Sequence, residues 1–580
     1  ILTIDSRLST PGQLSLNASG ADNRGGELLA GQLQIQAVTL DNRDGRIAQS
    51  GSGPAGITAT QLFDNRLGSL VGNGDTTLVV GQLLNSEGHI QTAASAALGI
   101  HAGGHVDNLS GALVAGGRLT LQAASLDNRA GQISAIAGGL GVNLESGRLD
   151  NAGGRLEAAE TLSLAARGIV NAAGSITGRQ IHADSAGQAF DNRGGLLAAR
   201  EGLSLASGEL DNAAGTLQAG GELLVDTGGQ RLANTASGST AGIFGRGRVD
   251  LRSGILDNSG GFIGATANLA IAASTLLNRD GAAISTEQSL AVAASVVDNR
   301  GGQIQALGDL AIDTGAGRID NTGSLIRAAG QASLTAGQLV NAATPDGSGL
   351  GIEGRSLRIQ TTDLDNRHGV LRADDNLALL ASGSVDNSGG LMSAGHTLRL
   401  ADNSPGAAAG SRTLSILNTG GTLIAGRLLD IDAARLGGDG SLLSRGDITV
   451  RLTGDYNHSG VFRAAGNASL VTAGNIVNHA AMEAGQTLHL SAAHITNLTD
   501  ATLSGDTTEL NAAVSLLNRG LIDGRETRIS TAELLNAGRG RIYGDHLAIQ
   551  AGTLVNEQQY GNSATIAARE RLDLGVHNLV

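Results

Sequence analysis

The chain has 580 residues and a formal charge of −14 at pH 7, with 53 acidic side chains against 39 basic ones, every one of them arginine. It has no cysteine, 89 glycines and only 1% aromatic residues, yet 41% of it is hydrophobic. An acidic balance without basic runs argues against nucleic acid, whose backbone demands clustered cations, and the lack of cysteine removes disulfides and thiolate metal sites.

The apolar content is almost all Leu, Ile, Val and Ala, which suits a narrow, tightly layered core better than a bulky globular one. No apolar run approaches the roughly 18 residues of a membrane span. From its first residues the chain reads as repeat: Ile1-Leu-Thr-Ile-Asp5 has the pattern of a strand inside one, with no signal peptide ahead of it. The chain is therefore expected to be a fragment of a longer protein.

One phrase recurs down the chain. It stands as Ala21-Asp-Asn-Arg-Gly-Gly, Leu40-Asp-Asn-Arg-Asp-Gly, Leu126-Asp-Asn-Arg-Ala-Gly, Phe190-Asp-Asn-Arg-Gly-Gly, Val297-Asp-Asn-Arg-Gly-Gly and Leu364-Asp-Asn-Arg-His-Gly. Looser copies are Leu149-Asp-Asn-Ala-Gly-Gly, Ile319-Asp-Asn-Thr-Gly and Leu517-Asn-Arg-Gly. A period of about 21 residues is that of stacked one-coil units.

A well-formed unit runs over residues 112–133. Leu113 and Ala115 alternate, Gly116-Gly117 turns, Leu119, Leu121 and Ala123 alternate, and Leu126 and Asn128 close the unit. Alternation at i, i+2 over short runs broken by glycine predicts about three brief strands per unit and no helix. Leu126 and Asn128 are two apart, so they share the inner face, while Asp127 and Arg129 point outward as a solvated pair. Gly131 is expected to supply the left-handed turn to the next strand.

Stacked on the inner face, the recurrent asparagines predict an amide ladder. Its expected members are Asn23, Asn42, Asn65, Asn85, Asn108, Asn128, Asn151, Asn171, Asn192, Asn212, Asn234, Asn258, Asn278, Asn299, Asn321, Asn341, Asn366 and Asn387. It continues through Asn418, Asn457, Asn478, Asn497, Asn518, Asn536, Asn556 and Asn578, with a degenerate coil at Leu436-Gly-Gly-Asp439 before Asn457. That makes roughly 27 coils and, at ~4.8 Å per stacked strand, about 130 Å. The predicted fold is all-β, a β-solenoid forming one continuous domain over residues 1–580. Proline and extra residues predict insertion loops near 51–56 (Pro54), 236–240, 344–349 (Pro345) and 403–412 (Pro405), because proline cannot donate to a central ladder.

Units such as Gly111-Ala-Leu-Val-Ala-Gly-Gly-Arg-Leu-Thr-Leu-Gln-Ala-Ala-Ser-Leu-Asp-Asn-Arg129 resemble the haemagglutinin repeats of Gram-negative two-partner secretion exoproteins. That family includes the filamentous haemagglutinin adhesins and the contact-dependent growth-inhibition toxins. The resemblance covers essentially the whole chain. It implies a right-handed parallel β-helix, passage through an outer-membrane two-partner secretion transporter, and a secreted filament at the cell surface. It also implies a target-cell or host-surface receptor engaged through regions outside this chain. Any enzymatic toxin activity would then lie in a C-terminal domain that this chain lacks.

Other chemistry has thin support. Parallel β-helices include polysaccharide lyases and hydrolases, which need acids and cations converging on one groove. The densest acidic run, Arg372-Ala-Asp-Asp375, reads as solvated rim. His101 and His105, and His489 and His494, flank turns without a third metal ligand and read as surface imidazoles. Leu436-Gly-Gly-Asp-Gly-Ser441 is one near-miss to a calcium nonapeptide, and one copy cannot build a stacked site. No catalytic, cofactor-binding or metal-binding residue is predicted, and no cofactor. Phe244, Phe262, Phe462, Tyr456, Tyr543 and Tyr560 are expected to fill ends or pack loops.

Overall fold

The computed structural model describes residues 2–144, 147–238, 241–405 and 407–580. It divides into two compact units, Ile1–Ala294 and Ser295–Val580. Both are built from the same parallel β-coil. Among the described residues the one helical segment is a 3-10 turn at Ala407–Ala409, and one short antiparallel hairpin pairs Gln558 with Ser563.

A single coil of the first unit shows the construction. Its three strands are Ala112–Ala115, Leu119–Ala123 and Ser125–Asp127. Each lies parallel to, and in register with, its counterpart one coil on: Leu113 opposite Ile133, Leu121 opposite Val142, Leu126 opposite Leu149. Alternation sends Leu113, Ala115, Leu119, Leu121 and Leu126 inward, where all are buried.

Stacking turns each inward position into a column. In the first unit one column runs Leu113, Ile133, Leu156, Ile176, Leu197 and Leu217, every member buried. Burying a Leu or Ile side chain contributes about 1.5–3 kcal/mol. The matching column of the second unit accepts larger residues, running Leu371, Met392, Leu423, Leu442, Phe462 and Met482. Phe462 is thus a core residue and not loop packing, as are Phe63 and Phe190. Phe244 and Phe262 instead lie half-buried on the outside, closing over Gly264, where a Cβ would stand 2.6 Å from the Phe262 ring and 3.0 Å from that of Phe244.

The turn after each ladder asparagine corrects one expectation. The left-handed residue is not Gly131 but Ala130, at φ 51°. The same place, two after the asparagine, is held by Asp44, Leu67, Glu87, Ser110 and His368, all with φ between 50° and 58°. Gly131 is needed for a different reason. A Cβ on it would stand 2.2 Å from the Asn108 carbonyl oxygen of the preceding coil and 2.7 Å from the Asn128 side-chain oxygen. The glycine permits close approach; the residue before it bears the left-handed strain.

The insertions leave the stack between strands and are tied down at their bases. Buried Gln49 accepts the Leu33 N–H at 2.9 Å and donates to Gly51 at 3.0 Å, holding residues 51–54. Thr344 accepts the Val370 N–H at 3.0 Å at the root of the 344–350 loop. At the third loop the Asp402 carboxylate takes N–H bonds from Ser404 at 2.7 Å and Leu414 at 2.6 Å. In the 236–240 segment Ser237 accepts the Phe262 N–H at 3.0 Å; residues 239 and 240 of that expected loop, and 406 of the 403–412 loop, lie outside the described residues. Pro11 lies within the strand Arg7–Asp22, at a register break between Thr10 and Gln13, where a missing donor costs no ladder bond.

Two neighbouring substitutions should therefore move stability in opposite directions. Gly131→Ala should destabilise its coil by about 3 kcal/mol through backbone overpacking, while Ala130→Gly should be neutral or stabilise by about 1 kcal/mol by relieving the left-handed strain. Hydrogen exchange of the amides around residues 126–133 in the two variants measures both.

Candidate functional site

The feature built from recurring buried polar side chains is the inward amide ladder. In the first unit it runs from Asn23 through Asn42, Asn65, Asn85, Asn108, Asn128, Asn151, Asn171, Asn192, Asn212, Asn234 and Asn258 to Asn278. Each Nδ2 donates to the next Oδ1 at 2.6–2.8 Å. In the second unit it links Asn299, Asn321, Asn341, Asn366, Asn387 and Asn418 at 2.7–2.9 Å. A second run joins Asn478, Asn497, Asn518, Asn536 and Asn556 at 2.8–2.9 Å.

At Asn128 the geometry satisfies every atom of the amide, its Oδ1 accepting from Asn108 at 2.6 Å. One N–H of Asn128 goes to Asn151, and the other is shared between the carbonyls of Gly131 in its own turn and Arg155 in the next coil, both at 3.3 Å. A flipped amide would set oxygen against three acceptors, so each rung fixes the direction of the next. Leaving such a group buried and unpaired would cost about 1–3 kcal/mol.

Two expected rungs are absent. Asn457 is exposed, and its neighbour His458 occupies the inner face instead, with Tyr456 in the column where apolar residues such as Leu126 and Ile476 stand in other coils. Parity ties the two together, since residues two apart share a face, and register against Ile476 and Asn478 turns both inward. The Tyr-x-His spacing was the signal available in the sequence. In the coil before it, the position after Leu436 that corresponds to the ladder is Gly438, at φ 98°, which has no amide to offer. Asn578 is also exposed rather than inward.

Outside the ladder, Asp127 and Arg129 form a pair at 2.6 Å, with the Asp127 carboxylate also accepting the Arg129 backbone N–H at 3.0 Å. The same arrangement recurs at Asp191–Arg193 and Asp365–Arg367, both at 2.7 Å. In all three the arginine side chain, helped by its backbone N–H and opposed by desolvation, holds the carboxyl below the usual carboxylate range. The stability these carboxylates give is complete above the ordinary carboxyl pKa of about 3.9 and is lost as pH falls through their lowered values.

The other sequence candidates scatter over the outer face. Arg372 pairs with Asp346 at 2.5 Å and Glu353 at 3.4 Å, while Asp375 meets Arg355 at 3.2 Å and His396 at 3.6 Å. His101 bonds Gln122 at 2.9 Å and His105 bonds Ser125 at 2.8 Å, each one coil on and not to each other. His489 lies 3.4 Å from Glu509, and His494 bonds Ser515 at 2.8 Å. Asp439 accepts the Gly420 N–H at 2.8 Å. Among the described residues no group of three or more His, Cys, Asp or Glu is placed to hold a metal ion. Tyr560 packs no loop: it is 90% exposed at the tip of its hairpin.

Inner and outer polar groups should differ sharply in weight. Asn151→Leu strands the Asn128 donor and the Asn171 acceptor and should cost about 3 kcal/mol at that coil. Arg129→Ala removes an exposed ion pair and should cost under about 1 kcal/mol. Local hydrogen exchange in the full chain separates the two.

No helix of the described residues is long and apolar enough to cross a membrane. Comparison with known proteins returned no matching curated protein and no matching solved structure. The family described as Haemagglutinin repeat matches residues 2–53, 51–110, 92–153, 135–189, 180–240, 393–436, 424–480, 483–525 and 509–576. Residues 241–392, between the matched segments, carry the same coil and ladder asparagines from Asn258 to Asn387. With more than half of its length matched, the chain belongs to the haemagglutinin-repeat family.

Proposed function

We propose that the chain is a rigid extracellular filament segment of a Gram-negative two-partner secretion exoprotein, the stalk that presents a toxin or receptor-binding tip in contact-dependent growth inhibition. The observation that carries the reading is the amide ladder, which ties coil to coil by side chains as well as by backbone and recurs where a catalytic cluster would be unique. Its work is mechanical: stacked strands resist bending, and nearest-neighbour interfaces let folding propagate from one end. The outer-membrane transporter is the partner during export, with coils stacking as the chain emerges at the cell surface. On this reading the chain is a shaft and not a catalyst.

A second reading is the shaft of a filamentous haemagglutinin-like adhesin for host-cell or biofilm attachment. It is favoured by the insertions, which leave the stack between strands and are anchored at their bases, as at Asp402 and Thr344.

A co-culture competition with the full-length gene in the attacker tests both. Siblings deleted for whatever small gene lies downstream should be killed on contact and protected by a filter if the stalk serves a toxin. Normal sibling growth with attachment lost on deletion of the gene would transfer the shaft to the adhesin branch. Turnover of polysaccharide by the purified chain would sink the shaft reading in either form.

A further inference from the structure

His458 is the one histidine among the described residues that lies in the core, only 2% exposed. It stands in the ladder position of its coil but does not act as a rung. Its Nε2 lies 3.0 Å from the Ala481 carbonyl oxygen, so that nitrogen carries the proton and donates. Its Nδ1, 3.3 Å from the Tyr456 hydroxyl, is left to accept. The Tyr456 ring stacks on the imidazole at 6.0 Å and the Phe462 ring meets it edge-on at 6.0 Å.

This coil also sits where the amide ladder is interrupted. On one side Asn418 ends its run by donating to the Ser441 carbonyl at 3.4 Å, with Gly438 in the following ladder position. On the other, Asn478 takes the Ala480 N–H on its side-chain oxygen at 3.3 Å and begins a new run toward Asn497. Between Asn418 and Asn478 no inward asparagine pair links the coils among the described residues; besides backbone pairing and apolar packing they are joined inside by the His458–Ala481 bond and outside by contacts such as Arg451–Asp430 at 2.7 Å.

The charged groups on the elements packed around His458 lie outside. Arg435 and Asp439 on the preceding coil, Asp455 on its own and His479 on the next are all exposed. Asp439 and Asp455 already accept backbone N–H bonds from Gly420 and Asn475, and Arg463 pairs with Glu483 at 2.6 Å on the outer face. The histidine ion pairs among the described residues are His396–Asp375, His489–Glu509 and His546–Glu570, none of them at His458.

We propose that the coil around His458 is an acid-sensitive joint: protonation of His458 opens this coil while the amide-laddered coils on either side stay closed. A protonated ring carries its charge into an apolar interior with no carboxylate partner, and its Nδ1 becomes a donor, leaving the buried Tyr456 O–H without its acceptor. Burial already holds His458 below its ordinary value, with the His479 charge adding to this and the Ala481 carbonyl opposing. The sign follows. An opened coil takes up a proton below the ordinary histidine pKa of about 6.5 and the closed coil resists it, so closure is fully stable above that pH and weakens below it. The outer Asp–Arg pairs do not titrate in that window, because their carboxyls are held below about 3.9.

The test is hydrogen exchange by mass spectrometry on the full chain at about pH 7.5 and about pH 5, corrected for intrinsic exchange, with peptides covering residues 455–480 and 126–192. Acidification should speed opening of the first segment by about tenfold or more, one unit of proton linkage, and leave the second unchanged. His458→Asn should abolish the acid response, and Tyr456→Phe, which keeps the ring, should retain it. Should His458→Asn be open already at neutral pH, the double variant Tyr456→Leu/His458→Asn restores the Leu-x-Asn pattern and should stay closed at both pH values. An acid response that survives in either Asn variant, that is missing from the wild type, or that is equal in both segments overturns the proposal.

Discussion

A primary amide buried in an apolar interior must find partners for two donors and one oxygen, and in a coil of about 21 residues the nearest source is the same amide one coil away. The rest of the coil is arranged around that demand. The Oδ1 of each asparagine must lie within 2.9 Å of its donor, as it does along the runs in both units. Such spacing requires the turn after the asparagine to fold tightly against the turn beneath, which leaves no volume for a Cβ at Gly131. The residue before it then takes the left-handed conformation whatever its side chain, even as Leu67 or Glu87. The Asp before the asparagine caps the same turn from outside, as Asp127 does for the Arg129 N–H.

Length between rungs is free where the rung itself is not. Asn387 and Asn418 are 31 residues apart yet bond at 2.7 Å, because the additional chain leaves the stack as a loop clamped by Asp402. A solenoid tolerates this since each coil interacts with its neighbours only, and an excursion to one side disturbs no distant contact. The interior also allows exchange of size within a column, Leu442 to Phe462 to Met482, provided the position remains apolar. For a shaft these are suitable properties: stiffness resides in the repeated interior, and variation is confined to the outside. The Tyr456–His458 coil is the place where the interior itself departs from the rule.

The outer polar pairs have a lesser part. Asp127 ends its strand and Arg129 lies two residues on in the turn, so their contact forms within a coil and does little to hold one coil to the next. Some of these arginines reach further, Arg24 to both Asp22 at 2.7 Å and Asp41 in the next coil at 3.7 Å, and Arg193 likewise to Asp211 at 3.7 Å. Exposed to water, such bridges are worth little individually. Their recurrence follows from the repeat and does not mark a site.

The sequence by itself determined the period, the short strands and, wherever the repeated phrase is kept, their parity and the asparagine ladder, because alternation is a local property written within one coil. Tertiary structure alone decided that Ala130 and not Gly131 is left-handed, because the reason for Gly131 is a carbonyl of the preceding coil, 20 or more residues back in the chain. It likewise decided that Phe462 belongs to a core column, and that His458 and not Asn457 faces inward. In that coil the repeated phrase is lost, and only register against the strands on either side fixes which of two adjacent polar residues the interior must accommodate.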